Sequence, residues 1–296
     1  MPNPHLKRSS TGPASDLVVV ESPSEMRALA ERWHREGGVI GLVPTMGALH
    51  AGHLSLVERA RAENTRLVVS VFVNPIQFGP GEDLDRYPRP VESDLEMLRS
   101  AGADAAYMPS AQAMYPPGAT TRVLVGRVAA PLEGAARPGH FEGVATVVTK
   151  LFWATRADRA YFGQKDAQQV AVVQRLAADL DAGVEIVVCP TVREADGLAV
   201  SSRNAYLDPR ERIAAVSLSR ALRAASDAYR RGERDAARLR QSMVEVLAGE
   251  PLGALEYAEV VDPGNFSSPG TLALLAVRIG KTRLIDNHDL AQPYPG

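Results

Sequence analysis

From residue 39 to about 190, short apolar runs alternate with longer segments of helical period, the pattern of a parallel α/β sheet. The predicted strands are 39–43, 67–73, 103–108, 160–162 and 184–188. Val68, Val69, Val71, Phe72 and Val73 are almost continuously apolar, as a strand covered by helices on both faces requires. Helices are expected to begin near Leu54, Pro90, Gly143 and Asp166. In the last of these, Val170, Val173, Ala177 and Leu180 recur at i, i+3, i+7 and i+10, which draws one stripe for the sheet. Residues 122–125 read as an inserted strand, and the Gly/Pro-rich stretch 132–139 as a loop.

Beyond Pro190 the texture changes. Asp208 is placed as an N-cap with Pro209 in the first helical position, and an Ala/Arg-rich helix follows to about Arg231. A second helix over 235–249 and two strands, 255–261 and 272–279, complete a small α+β unit. Residues 1–16 are polar and lack the apolar segment of a signal peptide, so a disordered lead-in is expected. The expected division is a first domain over 17–190 and a second over 191–296.

Composition narrows the classes. At roughly 100 to 200 residues per domain, 296 residues suit about two domains with cores large enough to need no disulfide. Lys plus Arg is 33 and Asp plus Glu is 35, a net charge of -2 without a basic tail, which speaks against a protein that coats nucleic acid. The Arg-rich stretch 220–240 is interrupted by Asp227, Glu233 and Asp235 and reads as a solvated helix face. No run approaches the ~18 apolar residues of a membrane span. A single cysteine, Cys189, fits a reducing compartment, so a cytoplasmic location is expected. Four of the 33 basic residues are lysine, Lys7, Lys150, Lys165 and Lys281, in a chain otherwise committed to arginine. A lysine kept against that bias is a candidate for a place that wants a compact ammonium.

The most informative segment is GLVPTMGALHAGH, residues 41–53, which runs from an apolar strand through a turn into a helix. Such a junction offers free backbone N–H groups and the positive end of a helix dipole to an anion. His50 and His53 face one bound group, and with no carboxylate or cysteine beside them they suit phosphate better than zinc. Asn74 and Gln77 follow the second strand, where carboxamides at a strand's carboxyl end meet a ligand without adding charge. YFGQKDAQQ, residues 161–169, is another strand-to-helix junction: Gly163 allows close approach, Lys165 neutralises a phosphate, Asp166 is an N-cap, and Gln169 lies one turn on. TVREADGLAVSSRN, residues 191–204, ends in two hydroxyls and a guanidinium suited to a polyphosphate.

These segments, with FVNPIQF and RPGHFEGVATVV, resemble in order and spacing the motifs of the pantothenate synthetases, the ATP-dependent pantoate:β-alanine ligases. HxGH alone marks only the wider group of nucleotidyltransferases and class I synthetases. The resemblance covers nearly the whole chain after the lead-in. It implies a Rossmann-like domain with a smaller C-terminal α+β lid, a homodimer, and a two-step reaction. Pantoate attacks the α-phosphate of MgATP to give pantoyl adenylate and pyrophosphate, and β-alanine then displaces AMP.

Carried over by motif, the resemblance implies that ATP is bound by Met46, Gly47, Ala48, Leu49, His50, Ala51, Gly52 and His53. It adds Gly163, Gln164, Lys165, Asp166 and Val192, with Val200, Ser201, Ser202 and Arg203 over the β- and γ-phosphates. His53, assigned as proton donor, His50 and Lys165 are the implied catalytic residues; Gln77, Gln169 and Asn74 hold pantoate. Asp94 is the one implied neighbour of magnesium, and because Ser93 and Met97 stand where related sequences carry other ligands, Mg2+ is expected to arrive with ATP. Gln164, Ala167 and Val200 depart from the family's usual residues. A carboxylate is already ionised at pH 7, so the first step needs no general base, and no catalytic triad is called for. Two other readings remain on sequence grounds: an adenylyl transferase for another acid or nucleotide, and an ATP-binding protein without activity.

Overall fold

The computed structural model describes residues 17–295; the expected lead-in lies outside them. Six strands, β1 (Val18–Val20), β2 (Ile40–Thr45), β3 (Arg66–Val71), β4 (Ala105–Tyr107), β5 (Arg159–Gly163) and β6 (Glu185–Cys189), form one sheet in the order β1-β4-β3-β2-β5-β6. Every ladder in it is parallel. The chain steps from β2 outward through β3 to β4, then returns to the other side of β2 with β5. The strand order therefore reverses between β2 and β5, where a parallel sheet opens a crevice at its carboxyl edge. The ladder between these two strands is registered only at Gly41↔Arg159 and Leu42↔Ala160, so they are unpaired beyond Leu42.

Helices cover both faces. α1 (Pro23–Arg35) is capped by Ser22 and buries Met26, Leu29, Ala30 and Trp33. α2 (Ala51–Glu63) follows β2, α3 (Val91–Ser100) precedes β4, and α4 (Ala111–Met114) is one turn. α5 (Glu133–Ala136) is a single turn inside the stretch expected to be loop. α6 (His140–Thr155) is buried along almost its whole length, and α7 (Ala167–Asp179) follows β5. The stripe predicted for α7 runs out before its end: Val170 and Val173 are buried, but Leu180 caps the helix and is 51% exposed. The expected strand at 122–125 is absent. Its segment is extended, Val123 N–H donates to Thr146 Oγ1 at 3.0 Å, and it has no partner strand among the described residues. β-Branched composition favours extension there, but a strand also needs a neighbour.

The C-terminal unit has α8 (Pro209–Arg230), started by a complete capping box between Asp208 and Glu211, and α9 (Ala236–Ala248), capped by Asp235. They pack on an antiparallel sheet of three strands, not two: β7 (Gly253–Val261), β8 (Leu272–Ile279) and β9 (Thr282–Asp289). Between these helices and the sheet lies a core of its own, with Leu218, Leu222, Met243 and Leu275 fully buried, while Val261, Phe266, Leu272 and Leu274 join the core under the parallel sheet. The β8–β9 hairpin turns at Gly280, whose φ is 55°.

Candidate active site

The turn from β2 into α2 is held in shape by bonds to its own amides. Gly47 and Ala48 both take positive φ, 81° and 49°, a strained choice for alanine. Asp94 on α3 holds it: its carboxylate accepts from Ala48 N–H at 2.9 Å and Leu49 N–H at 2.8 Å. Thr45 Oγ1 adds a bond from Gly47 N–H at 3.2 Å and donates to the Ser70 carbonyl at 2.7 Å. A side chain at Gly47 would meet Asp94 at 2.9 Å, so glycine is required for fit as well as for its φ. Asp94 is buried, and the geometry gives it this bracing task, with both carboxylate oxygens accepting from backbone amides. Among the described residues there is no cluster of three or more His, Cys, Asp or Glu that could hold a metal.

His50 is the N-cap residue of α2 but makes no side-chain cap bond, which leaves the first-turn N–H groups uncapped by it. Its ring stacks on that of His53 with centroids 4.0 Å apart. Gly52 makes this possible, since a methyl there would sit 3.0 Å from the His50 ring. Burial, with Lys165 close by, lowers the His50 pKa to about 4. Burial, His50 and Lys165 lower that of His53 to about 3, so both rings are neutral at pH 7. The Nδ1 atoms of both are buried without a partner among the described residues. Unpartnered buried polar atoms beside a lysine are suited to an incoming anion.

Lys165 comes from the opposite side of the crevice, in the single turn Gln164–Asp166 between β5 and α7. Its ammonium is 3.8 Å from Asp166 and largely buried. A cavity of about 220 Å³ is lined by Met46, His50, Gly52, His53, Asn74, Gln77, Gly163, Lys165, Asp166, Gln169, Val192, Val200, Ser201, Ser202 and Arg203. The remaining expected contacts, Gly47, Ala48, Leu49, Ala51 and Gln164, are absent from that lining; Ala51 opens α2 and the others belong to the two supporting turns.

The amide pair is tightly organised. Asn74 is buried and fully used: Nδ2 donates to Gln77 Oε1 at 3.0 Å and Gly143 O at 3.1 Å, and Oδ1 accepts from Tyr115 at 2.8 Å. It therefore orients Gln77, whose Nε2 donates to Met46 Sδ at 3.2 Å. Gly143 lets α6 come this close, because a methyl would sit 2.5 Å from Gln77 Cα. Beside it, His140 Nδ1–H donates to the Gln77 carbonyl at 2.9 Å while Nε2 accepts from Arg137 at 3.1 Å. Burial, together with the Arg137 cation, lowers the His140 pKa to about 4.

The loop after Gln77 carries two residues that the sequence did not single out. Glu82 binds Arg137 through both carboxylate oxygens at 2.8 and 2.6 Å. Asp83 does the same for Arg203, with Nε and Nη2 both at 2.9 Å. Burial alone would raise the Asp83 carboxyl, but the Arg203 guanidinium outweighs it and holds it below the ordinary carboxylate range. Arg203 thus has two of its donors engaged, and Ser202 lies 3.3 Å from the Tyr87 hydroxyl. Adjacent acids directly after a Gly-Pro-Gly run were the only signal, a weak one.

Fold and donors together define a Rossmann-like α/β protein with an anion site at the reversal point of its parallel sheet. A family model described as pantoate-beta-alanine ligase matches residues 18–289. The chain belongs to that family. It is 55% identical over 286 residues to the pantothenate synthetase of Rubrobacter xylanophilus, spanning 92% of this chain and 98% of that protein. The crystal structure of pantothenate synthetase from Thermus thermophilus superposes with a TM-score of 0.87 at 46% identity, covering 94% of this chain and 100% of that one. The Francisella tularensis pantoate-beta-alanine ligase, complexed with beta-gamma ATP and beta-alanine, gives 0.79 at 32% identity with the same coverage.

Proposed function

We propose that this chain condenses pantoate with β-alanine to pantothenate, using ATP and passing through pantoyl adenylate with release of pyrophosphate and then AMP. The observation that carries the reading is the convergence of His50, His53 and Lys165 at the carboxyl ends of β2 and β5, within one cavity with Gln77 and Gln169. The first step is an in-line displacement at phosphorus. The pantoate carboxylate is already a nucleophile, so the protein's work is positioning and charge stabilisation. Gln77 and Gln169 hold pantoate, and Asn74 acts on it through Gln77. Lys165 and the amides at the start of α2 take the growing charge on the α-phosphate. His50 and His53 enter uncharged, as hydrogen-bond donors; charge developing beside them then favours their protonation. Ser201, Ser202 and Arg203 accompany the pyrophosphate, for which Arg203 exchanges Asp83 for phosphate oxygens. Mg2+ arrives as part of the substrate MgATP, coordinated by phosphate and water, because Asp94 is committed to the backbone.

The division near residue 190 is supported by a core that belongs to the second unit alone, and that unit serves as a lid that keeps water from the adenylate. A homodimer is supported by the unpaired extended segment 122–125, where Leu124 is 76% exposed, and by Trp153 on α6 at 66%. No helix among the described residues is long and apolar enough to cross a membrane; a cytoplasmic location suits these substrates. The test is to measure AMP and pantothenate formation with pantoate and β-alanine omitted in turn. Strict dependence of pantothenate on both, with one AMP per product, is expected. Turnover sustained by nicotinate mononucleotide or phosphopantetheine, or ATP binding without AMP, would overturn the reading.

A further inference from the structure

One side chain reaches from the small sheet to the turn that carries Lys165. Asn287, near the end of β9, is buried, and its Nδ2 donates to the carbonyl oxygens of Gln164 at 2.9 Å and Lys165 at 2.7 Å. Those oxygens belong to the two peptide planes that flank the Lys165 Cα, so gripping both fixes the direction in which the lysine leaves the backbone. The two acceptors also dictate the carboxamide's orientation, since the reversed amide would set Oδ1 against two carbonyl oxygens. Asn287 is itself held. Its N–H donates to the Asp286 carboxylate at 2.8 Å, which binds Arg193 through both oxygens at 2.6 and 2.9 Å, and Arg193 Nη2 reaches the Asn287 carbonyl at 3.3 Å. Arg193 lies in the loop leading to Ser201: it bridges Ala199, and Val200 N–H donates to the Val192 carbonyl at 2.9 Å. One step of β9 therefore anchors both the Lys165 turn and the base of the loop that ends in Arg203.

We propose that Asn287 is a positioning residue for adenylyl transfer, orienting Lys165 by fixing the peptide planes on either side of it. This rests on the adenylation reading above. A lysine displaced by about 1 Å from its phosphate loses rate far more than binding, since misplacement on that scale can cost about 10²-fold.

The experiment is pantoate-dependent pyrophosphate–ATP exchange in the full chain, measured for Asn287→Ala, Lys165→Ala and the double variant. Asn287→Ala is expected to lower the exchange kcat about 10- to 100-fold while the KM for ATP stays within about threefold. In the Lys165→Ala background the same change is expected to cost less than about twofold, because its route of action is gone. Asn287→Asp, which keeps the shape but loses the donor, should lose as much as the alanine variant. Should Asn287→Ala fail to fold, Asn287→Ser is read in the same cycle. Equal losses in both backgrounds, an effect on KM alone, or wild-type exchange by Asn287→Asp would overturn this proposal alone. Absence of exchange in the unsubstituted protein would overturn the adenylation reading and this proposal with it.

Discussion

At the junctions of β2 with α2 and of β5 with α7, His50 and His53 keep buried Nδ1 atoms without partners, and Lys165 has only a 3.8 Å approach to Asp166. Across the cleft, Arg203 is bound at two points by Asp83, and Arg137 at two points by Glu82. The first region is set to receive an anion with no bond to break. The second has its guanidinium groups already paired with carboxylates, so an anion arriving there must exchange one partner for another. Preorganised donors act on the transition state, whereas donors that exchange partners tune how tightly substrate is held.

The largest test of that contrast is on the first region. Lys165→Ala or His53→Ala is expected to lower pantoate-dependent AMP formation about 10²- to 10³-fold, as loss of one preorganised donor does, and steady-state assays read it directly. Near-native rates would move the charge stabilisation elsewhere. Next in size is the packing that aims Gln77. Gly143→Ala forces α6 off the backbone at Gln77 and is expected to destabilise by about 1–3 kcal/mol in denaturant unfolding, with a raised KM for pantoate. A stable variant with unchanged KM would show that the close approach is dispensable. Asp83→Asn probes the second region. Freed of its carboxylate, Arg203 is expected to lower the KM for ATP by about three- to tenfold. A higher KM would mean that Asp83 orients Arg203 and does not compete for it.

Separate from these effects on activity is the pH dependence of stability. His53 in the folded chain refuses a proton until about pH 3, while the unfolded chain binds it from 6.5 downward. Stability is therefore fully present above pH 6.5 and falls as the pH drops through that window. His53→Gln is expected to flatten the fall in urea midpoints measured between pH 4 and 7. An unchanged slope would place the burden on carboxylates alone.

Much of this was legible beforehand because the relevant signals are local. Strand-to-helix junctions announce themselves in 41–53 and 161–169, and Asp208-Pro209 starts α8 as its residue types dictate. What escaped depends on partners distant in sequence. β9 is polar along much of its length and was hidden, although Gly280 after an apolar strand marks its hairpin. The run at 122–125 has strand composition and no strand beside it among the described residues. The bonds Asp94 makes could not be read from its own helix, because its partners lie more than 40 residues away, in the turn at Ala48 and Leu49. Asp83 and Asn287 gained their meaning only from Arg203 and from the Lys165 turn.

The central claim is that the unpartnered donors of the parallel sheet carry adenylyl transfer as a step of its own. Pyrophosphate–ATP exchange with pantoate present and β-alanine withheld tests it most directly. The account predicts exchange under those conditions, abolished when pantoate is removed. Exchange that requires β-alanine would contradict a separate adenylate and the account with it.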